Sequence, residues 1–272
     1  IGGPTILRSA AKNYRWTVPV INPSRYNLII ETLKNNDCKI PEKMRVELAG
    51  EVFQETSYYD SLISEYFKTY NKIHTPNKFS LSLKLDQNLR YGENPHQEAA
   101  LYGNFSKIFT QLHGKELSYN NIVDINEAVD LINEFDEPTI AILKHTNPCG
   151  VGTADNLVEA WKKAFETDKD SPFGGIIVMN DTLTLELAQE IDSIFTEVLI
   201  APNYNKEALE LLTKKKNRRL LTVNFEKFKE MLQVNVKSVA GGILVQTIDD
   251  ELFIDKAKIF LYFIHQTFKY YS

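Results

Sequence analysis

The sequence predicts an α/β fold in which helices are layered on a mostly parallel or mixed sheet. Three observations predict it. Short apolar runs recur at residues 139–143, 175–179, 198–201, 220–223 and 239–245, each of strand length rather than helix length. Stretches with helical apolar spacing separate several of them, at 156–166, 183–195 and 206–214, and such alternation buries strands between helices. Between Tyr70 and Ser80 the periodicity breaks into Asn, Lys, Thr, His and Pro, which predicts a linker and a domain boundary.

The remaining elements follow in chain order. Pro4 suits the first turn of a helix running to Ala11, where no N–H donor is needed. Residues 16–21 read as a short buried strand ended by Asn22-Pro23, after which Ser24 caps a helix through Leu33. Pro41 opens a long helix with Met44, Leu48, Val52, Tyr59, Ile63 and Phe67 on or near one face. Beyond the linker, residues 81–85 and 108–112 read as strands. Asp124 with Glu127 reads as a capping box opening a helix to Phe135. No internal repeat is present.

Composition narrows the function classes. A chain of 272 residues can form one large domain or two smaller ones. Its net charge of -5 carries no basic footprint, which argues against a nucleic-acid partner. Two cysteines, Cys38 and Cys149, are too few for a disulfide-stapled secreted domain, so a reducing cytoplasm is expected. No apolar run is long enough to span a bilayer, so no membrane partner is expected.

Two clusters carry chemistry. Lys144-His145 stands at the end of an apolar strand, the side of an α/β sheet where ligands bind, and Asn147-Pro148-Cys149-Gly150 reads as the turn that follows. An imidazole can take a proton near neutral pH while a neighbouring ammonium stabilises an oxyanion. That pair suits attack by an amine on a carbonyl, although a surface lysine beside a hydrogen-bonded histidine has the same spacing. The second cluster is Arg90-Tyr91-Gly92-Glu93-Asn94-Pro95-His96-Gln97. Arg90 offers a fork of donors for phosphate, Tyr91 a ring and a hydroxyl, and His96 a further proton carrier, in a loop shaped by Gly92 and Pro95. A structured loop without function would look similar. Gly2-Gly3 before a helix could hold a phosphate, with Lys12 at that helix's end, and Ser171 to Gly175 allows close approach to the backbone. His145 followed by Pro148-Cys149 is similar in outline to a zinc deaminase signature. Asn147 stands where the glutamate is needed and no paired cysteine follows, which argues against a metal.

The ordered set of these pieces resembles the bifunctional purine-biosynthesis family that joins AICAR transformylase to IMP cyclohydrolase. The set comprises Ile1 to Thr5, Arg8 to Asn13, Arg90 to Gln97, Ser118-Tyr119-Asn120-Asn121, Lys144 to Gly150, Ser171 to Gly175, Glu197 to Pro202 and Ala240-Gly241-Gly242. The resemblance implies formyl transfer from the cosubstrate 10-formyltetrahydrofolate to the amine of AICAR, then ring closure to IMP. His145 would be the base, Lys144 the oxyanion stabiliser, and Lys12 the cyclohydrolase acid/base residue beside Gly2 and Gly3. Arg90, Tyr91, His96, Asn121, Gly174 and Glu197 would bind the nucleotide substrate. It also implies a deaminase-like transformylase fold without metal, and a homodimer.

On this resemblance, residues 1–75 are the end of a cyclohydrolase domain, 76–250 the first part of a transformylase domain and 251–272 an atypical tail. The chain opens inside a motif, so a piece of a longer protein is expected. Glu55-Thr56-Ser57 departs from the family's His-Thr-Ala segment. The alternative is a non-catalytic fragment that at most binds a purine-precursor nucleotide or a full-length partner.

Overall fold

The structure is a computed structural model that describes residues 2–169, 172–231 and 234–248. The expected tail at 251–272 lies outside the described residues, as do Ile1 and Ser171. The chain divides into two compact units between Asp86 and Gln87.

The first unit is helical: α1 (Gly2–Lys12), a 3-10 turn at Pro23–Arg25, α2 (Tyr26–Asn35) and α3 (Glu42–Tyr70). Its small core joins Ala11 of α1 to Ala49 and Val52 of α3, with Leu7 and Phe53 packed around them. Arg8 Nη1 donates to Thr56 Oγ1 at 3.0 Å across the same contact. The strand expected at 16–21 does not form. Trp16 is 85% exposed, and the Thr17 hydroxyl donates back to Ala10 O, tying this segment to the end of α1. An apolar run becomes a strand only where a neighbouring strand can take its backbone bonds, and this unit supplies none among the described residues. The apolar face of α3 is buried at Leu48 and Val52 but exposed at Tyr59, Ile63 and Phe67.

β1 (Leu85–Leu89), which runs across the division between the units, and β2 (Ala99–Tyr102) form one small sheet. A six-stranded mixed sheet follows, built from β3 (Phe109–His113), β4 (Thr139–Lys144), β5 (Asn147–Thr153), β6 (Ile176–Met179), β7 (Val198–Ala201) and β8 (Arg219–Val223) in the order β3-β8-β7-β6-β4-β5. Its helices are α4 (Phe105–Ile108), α5 (Tyr119–Ile132), α6 (Leu157–Thr167), α7 (Leu185–Asp192), α8 (Lys206–Leu212) and α9 (Phe225–Met231). Alternate residues of β4 go to opposite cores. Ile140 and Ile142 pack with Trp161 of α6 and Ile191 of α7, while Ala141 and Leu143 pack with Ile125 and Val129 of α5. Burial on both faces explains why these strands read as unbroken apolar runs. The run at 239–245 is instead the middle of an antiparallel hairpin, β9 (Val234–Val239) with β10 (Gly242–Thr247), because Gly241 takes φ 81° between them.

Two other expectations change. The first strand predicted beyond the linker lies later, at β1. The helix predicted from Asp124 begins one and a half turns earlier, because Ser118 is its N-cap and Asn121, not an acid, completes the capping box. Asp124 is therefore an interior helix position.

The tightest joint is between β5 and α6. A Cβ on Gly150 would lie 2.1 Å from Ala164 O, and one on Gly152 would lie 2.2 Å from Ala160 O. Gly152→Ala is expected to cost about 1–3 kcal/mol, read as a lower urea midpoint at unchanged slope. A second joint is ionic. Arg218, with its side chain 1% exposed, donates to Asp192 Oδ1 at 2.7 Å, and Lys215 reaches the same oxygen at 3.0 Å. Burial would raise the Asp192 carboxyl, but the bonds and charges of Arg218 and Lys215 prevail and hold it below the usual carboxylate range. Its contribution is thus present above the unfolded carboxylate range and lost as pH falls through the lowered folded value. Asp192→Ala strands the buried guanidinium and is expected to cost about 3 kcal/mol at neutral pH, with a smaller deficit in acid.

Candidate active site

Strand direction assembles the site. β4 runs antiparallel to β6, with Leu143 opposite Ile176, whereas β6, β7 and β8 are parallel, with Ile176 opposite Val198 and Val198 opposite Arg219. The carboxyl end of β4 therefore meets the amino ends of β6, β7 and β8. Lys144 and His145 share this edge with Gly174, Glu197 and Arg219. The rule that ligands sit beyond the carboxyl ends of strands suits β4 alone, and the parallel strands contribute their opposite ends.

Backbone bonds fix the edge. Gly174 N donates to Phe195 O at 2.8 Å, Glu197 N to Gly175 O at 3.1 Å and Arg219 N to Glu197 O at 2.9 Å. Gly174 has φ 76°, and a Cβ on Gly175 would sit 2.7 Å from Leu143 O, so both positions require glycine. Side chains continue the network. Buried Asn121, in the first turn of α5, donates through Nδ2 to Glu197 Oε1 at 3.2 Å. The same oxygen accepts Arg219 Nη1 at 2.9 Å, and Arg219 Nε donates to Glu116 O at 3.2 Å.

The Lys144-His145 element differs from the expected turn. Lys144 pairs with Asn147, so His145 and Thr146 alone form the turn and Asn147 already belongs to β5. Both turn residues have positive φ, 52° and 64°, the pair of values that a type I′ hairpin requires. For a histidine and a β-branched threonine this costs about 1–3 kcal/mol each and is tolerated only where surroundings enforce it. Three bonds do so: Thr146 N donates to Asp124 Oδ1 at 2.9 Å, Asn147 Nδ2 to His145 O at 2.9 Å and Thr146 Oγ1 to His145 O at 2.6 Å. Lys144 Nζ donates to Phe173 O at 3.3 Å, and both Lys144 and His145 are exposed. Burial raises the Asp124 carboxyl. The Thr146 bond and His145 partly offset that, and Glu197 adds to it.

A cavity of about 290 Å3 adjoins Ser118, the N-cap of α5, and is lined by Arg90, Tyr91, Lys115, Leu117 and Arg219 among others. Arg90, Lys115 and a helix amino end around one hollow suit an anion such as a phosphate, although Glu116 also lines it and Arg219 is already paired with Glu197. The Arg90 guanidinium lies 5.5 Å from the centre of the Tyr91 ring. His96 lines a neighbouring hollow of about 590 Å3 with Arg90, Asn88 and Tyr102. The loop between them closes through Gly92 N donating to Gln97 O at 3.0 Å. Among the described residues no His, Cys, Asp and Glu group is arranged to hold a metal.

In the first unit, Gly2 and Gly3 lie inside the first turn of α1 rather than before it, with open space where a Cβ would stand. Lys12 is exposed in the last turn. Sequence reasoning singled out neither Lys115 nor Arg219, and read Asp124 as a cap. A cation opening the strand parallel to the one after Glu197 was a usable signal for Arg219. Nothing local marked the contact of Asp124 with Thr146.

A family model described as AICARFT/IMPCHase bienzyme matches residues 10–262. The curated relatives include the bifunctional purine biosynthesis protein PurH of Lysinibacillus sphaericus, 48% identical over 92% of this chain and 49% of its own length. PurH of Ruminiclostridium cellulolyticum is 45% identical over 93% of this chain and 51% of its own. PurH of Limosilactobacillus reuteri is 46% identical over 92% and 50%. The chain thus spans about half the length of the curated relatives it matches.

The strained turn has a measurable signature. Replacing His145 by Asn and Thr146 by Gly together, the pair favoured by such turns, is expected to raise stability by about 1–2 kcal/mol in urea unfolding.

Proposed function

The chain belongs to the AICARFT/IMPCHase bienzyme family, and from that premise we propose that it contributes to the formyl transfer and ring closure that lead to IMP. In the transfer, His145 takes a proton from the attacking 5-amino group of AICAR as the nitrogen–carbon bond to the formyl group forms. Lys144 stabilises the negative charge that develops on the formyl oxygen, and the tetrahydrofolate nitrogen leaves with the bonding pair and accepts a proton. The observation that carries this is the turn itself: a cation and an imidazole at adjacent positions, held in strained backbone on the same sheet edge as Glu197 and Arg219, of which Arg219 lines a cavity with Arg90 and Lys115. Strain retained at a chemically competent pair is the usual mark of a working site.

Arg90 and Tyr91 take the nucleotide phosphate end, with His96 on the adjoining loop and Asn121, Gly174 and Glu197 along the sheet edge. Lys12, with Gly2 and Gly3, belongs to the cyclohydrolase reaction, so residues 1–75 read as the end of that domain and 76–250 as the first part of the transformylase domain. The mixed sheet with helices on both faces supports a deaminase-like fold for the latter. The family reading assigns the folate contacts to the half of the relatives that this chain does not span, and implies a cytoplasmic homodimer. The alternative reading is a chain that at most binds a purine-precursor nucleotide or a full-length partner without turnover.

One experiment separates them. In the complete protein, His145→Ala is expected to lower formyl transfer on the order of 10²–10⁴-fold while AICAR binding persists. Transfer that is unaffected would sink the proposed role. AICAR binding by the complete protein with no transfer, before any substitution, would favour the second reading.

A further inference from the structure

We propose that Asp124 is the positioning residue of the Lys144-His145 turn, acting through the Thr146 amide and not through substrate. This rests on the reading of His145 as the base. Asp124 lies on α5, whose first turn carries Ser118 at the cavity and Asn121 against Glu197. Its Oδ1 accepts the Thr146 N–H at 2.9 Å from a residue 22 positions away. The other two bonds of the turn, from Thr146 Oγ1 and Asn147 Nδ2, both end on His145 O and stay within the hairpin. Among the bonds described for the turn backbone, the carboxylate of Asp124 is thus the anchor to another element. That anchor counters the strain at φ 52° and 64° and ties the imidazole to the same helix that positions Asn121.

The test uses the complete protein labelled with 15N-threonine. Asp124→Ala is expected to shift the Thr146 amide proton upfield and to speed its exchange roughly tenfold. The same variant should lower kcat for formyl transfer on the order of ten- to a hundredfold, with KM for AICAR changed by less than about twofold. Asp124→Asn, whose amide oxygen can accept the same bond, is expected to restore both the Thr146 signal and most of kcat, and it guards against a variant that simply fails to fold. An unchanged Thr146 amide in Asp124→Ala would overturn the inference. So would an Asp124→Asn protein that keeps the amide signal yet is as slow as the alanine variant. If His145→Ala leaves transfer intact while Asp124→Ala still releases Thr146, the base assignment falls and the anchoring of the turn stands.

Discussion

The reversal of β4 within the central sheet is the constraint on which the rest of the site depends. Because β4 pairs antiparallel with β6 while β6, β7 and β8 are mutually parallel, one edge collects the carboxyl end of a single strand and the amino ends of three others. Had β4 run parallel to its neighbours, Lys144 would lie at the far side of the sheet from Glu197 and Arg219. The hairpin to β5 is a separate antiparallel pairing on the other side of β4, one that two residues can connect where a parallel neighbour could not be reached. The turn that results is the place where an imidazole can be held in backbone that ordinary loops avoid.

Packing makes the reversal possible. β5 lies so close to α6 that Gly150 and Gly152 face its carbonyl groups directly. Gly175 meets Leu143 O in the same way across the other side of β4. The strand is thereby wedged between a helix and a glycine-lined neighbour, and its end has little freedom to move. Helix α5 completes the frame, because its buried face of Ile125, Ala128, Val129 and Ile132 rests on the sheet while its first turns address the edge. Hydrophobic burial thus sets positions that the polar groups then use.

Much of this was legible beforehand, for identifiable reasons. β4, β6, β7 and β8 are buried on both faces, so each appears as an uninterrupted apolar run. β5 was hidden because Asn147-Pro148-Cys149-Gly150 has turn composition, and its glycines serve helix contact, which sequence spacing does not reveal. The segment at 16–21 has strand composition but lacks a partner strand, so tertiary context overrides it. Arg90, Tyr91, Lys144 and His145 stood out by chemistry, whereas Asn121 and Glu197 drew notice only through the ordered resemblance. The role of Asp124 depends on a contact 22 residues distant, which a linear reading does not contain.

The brevity of the His145-Thr146 turn limits how this edge can change through descent. A residue inserted or lost there, unless a bulge took it up, would shift β4 against β5 by one place and exchange the faces of a strand that is buried on both. Gly150 and Gly152 would then no longer oppose Ala164 and Ala160. Length variation, which most surface loops accept readily, is costly in this one. Its history can proceed more freely by replacement of side chains, at positions whose number and spacing the sheet dictates.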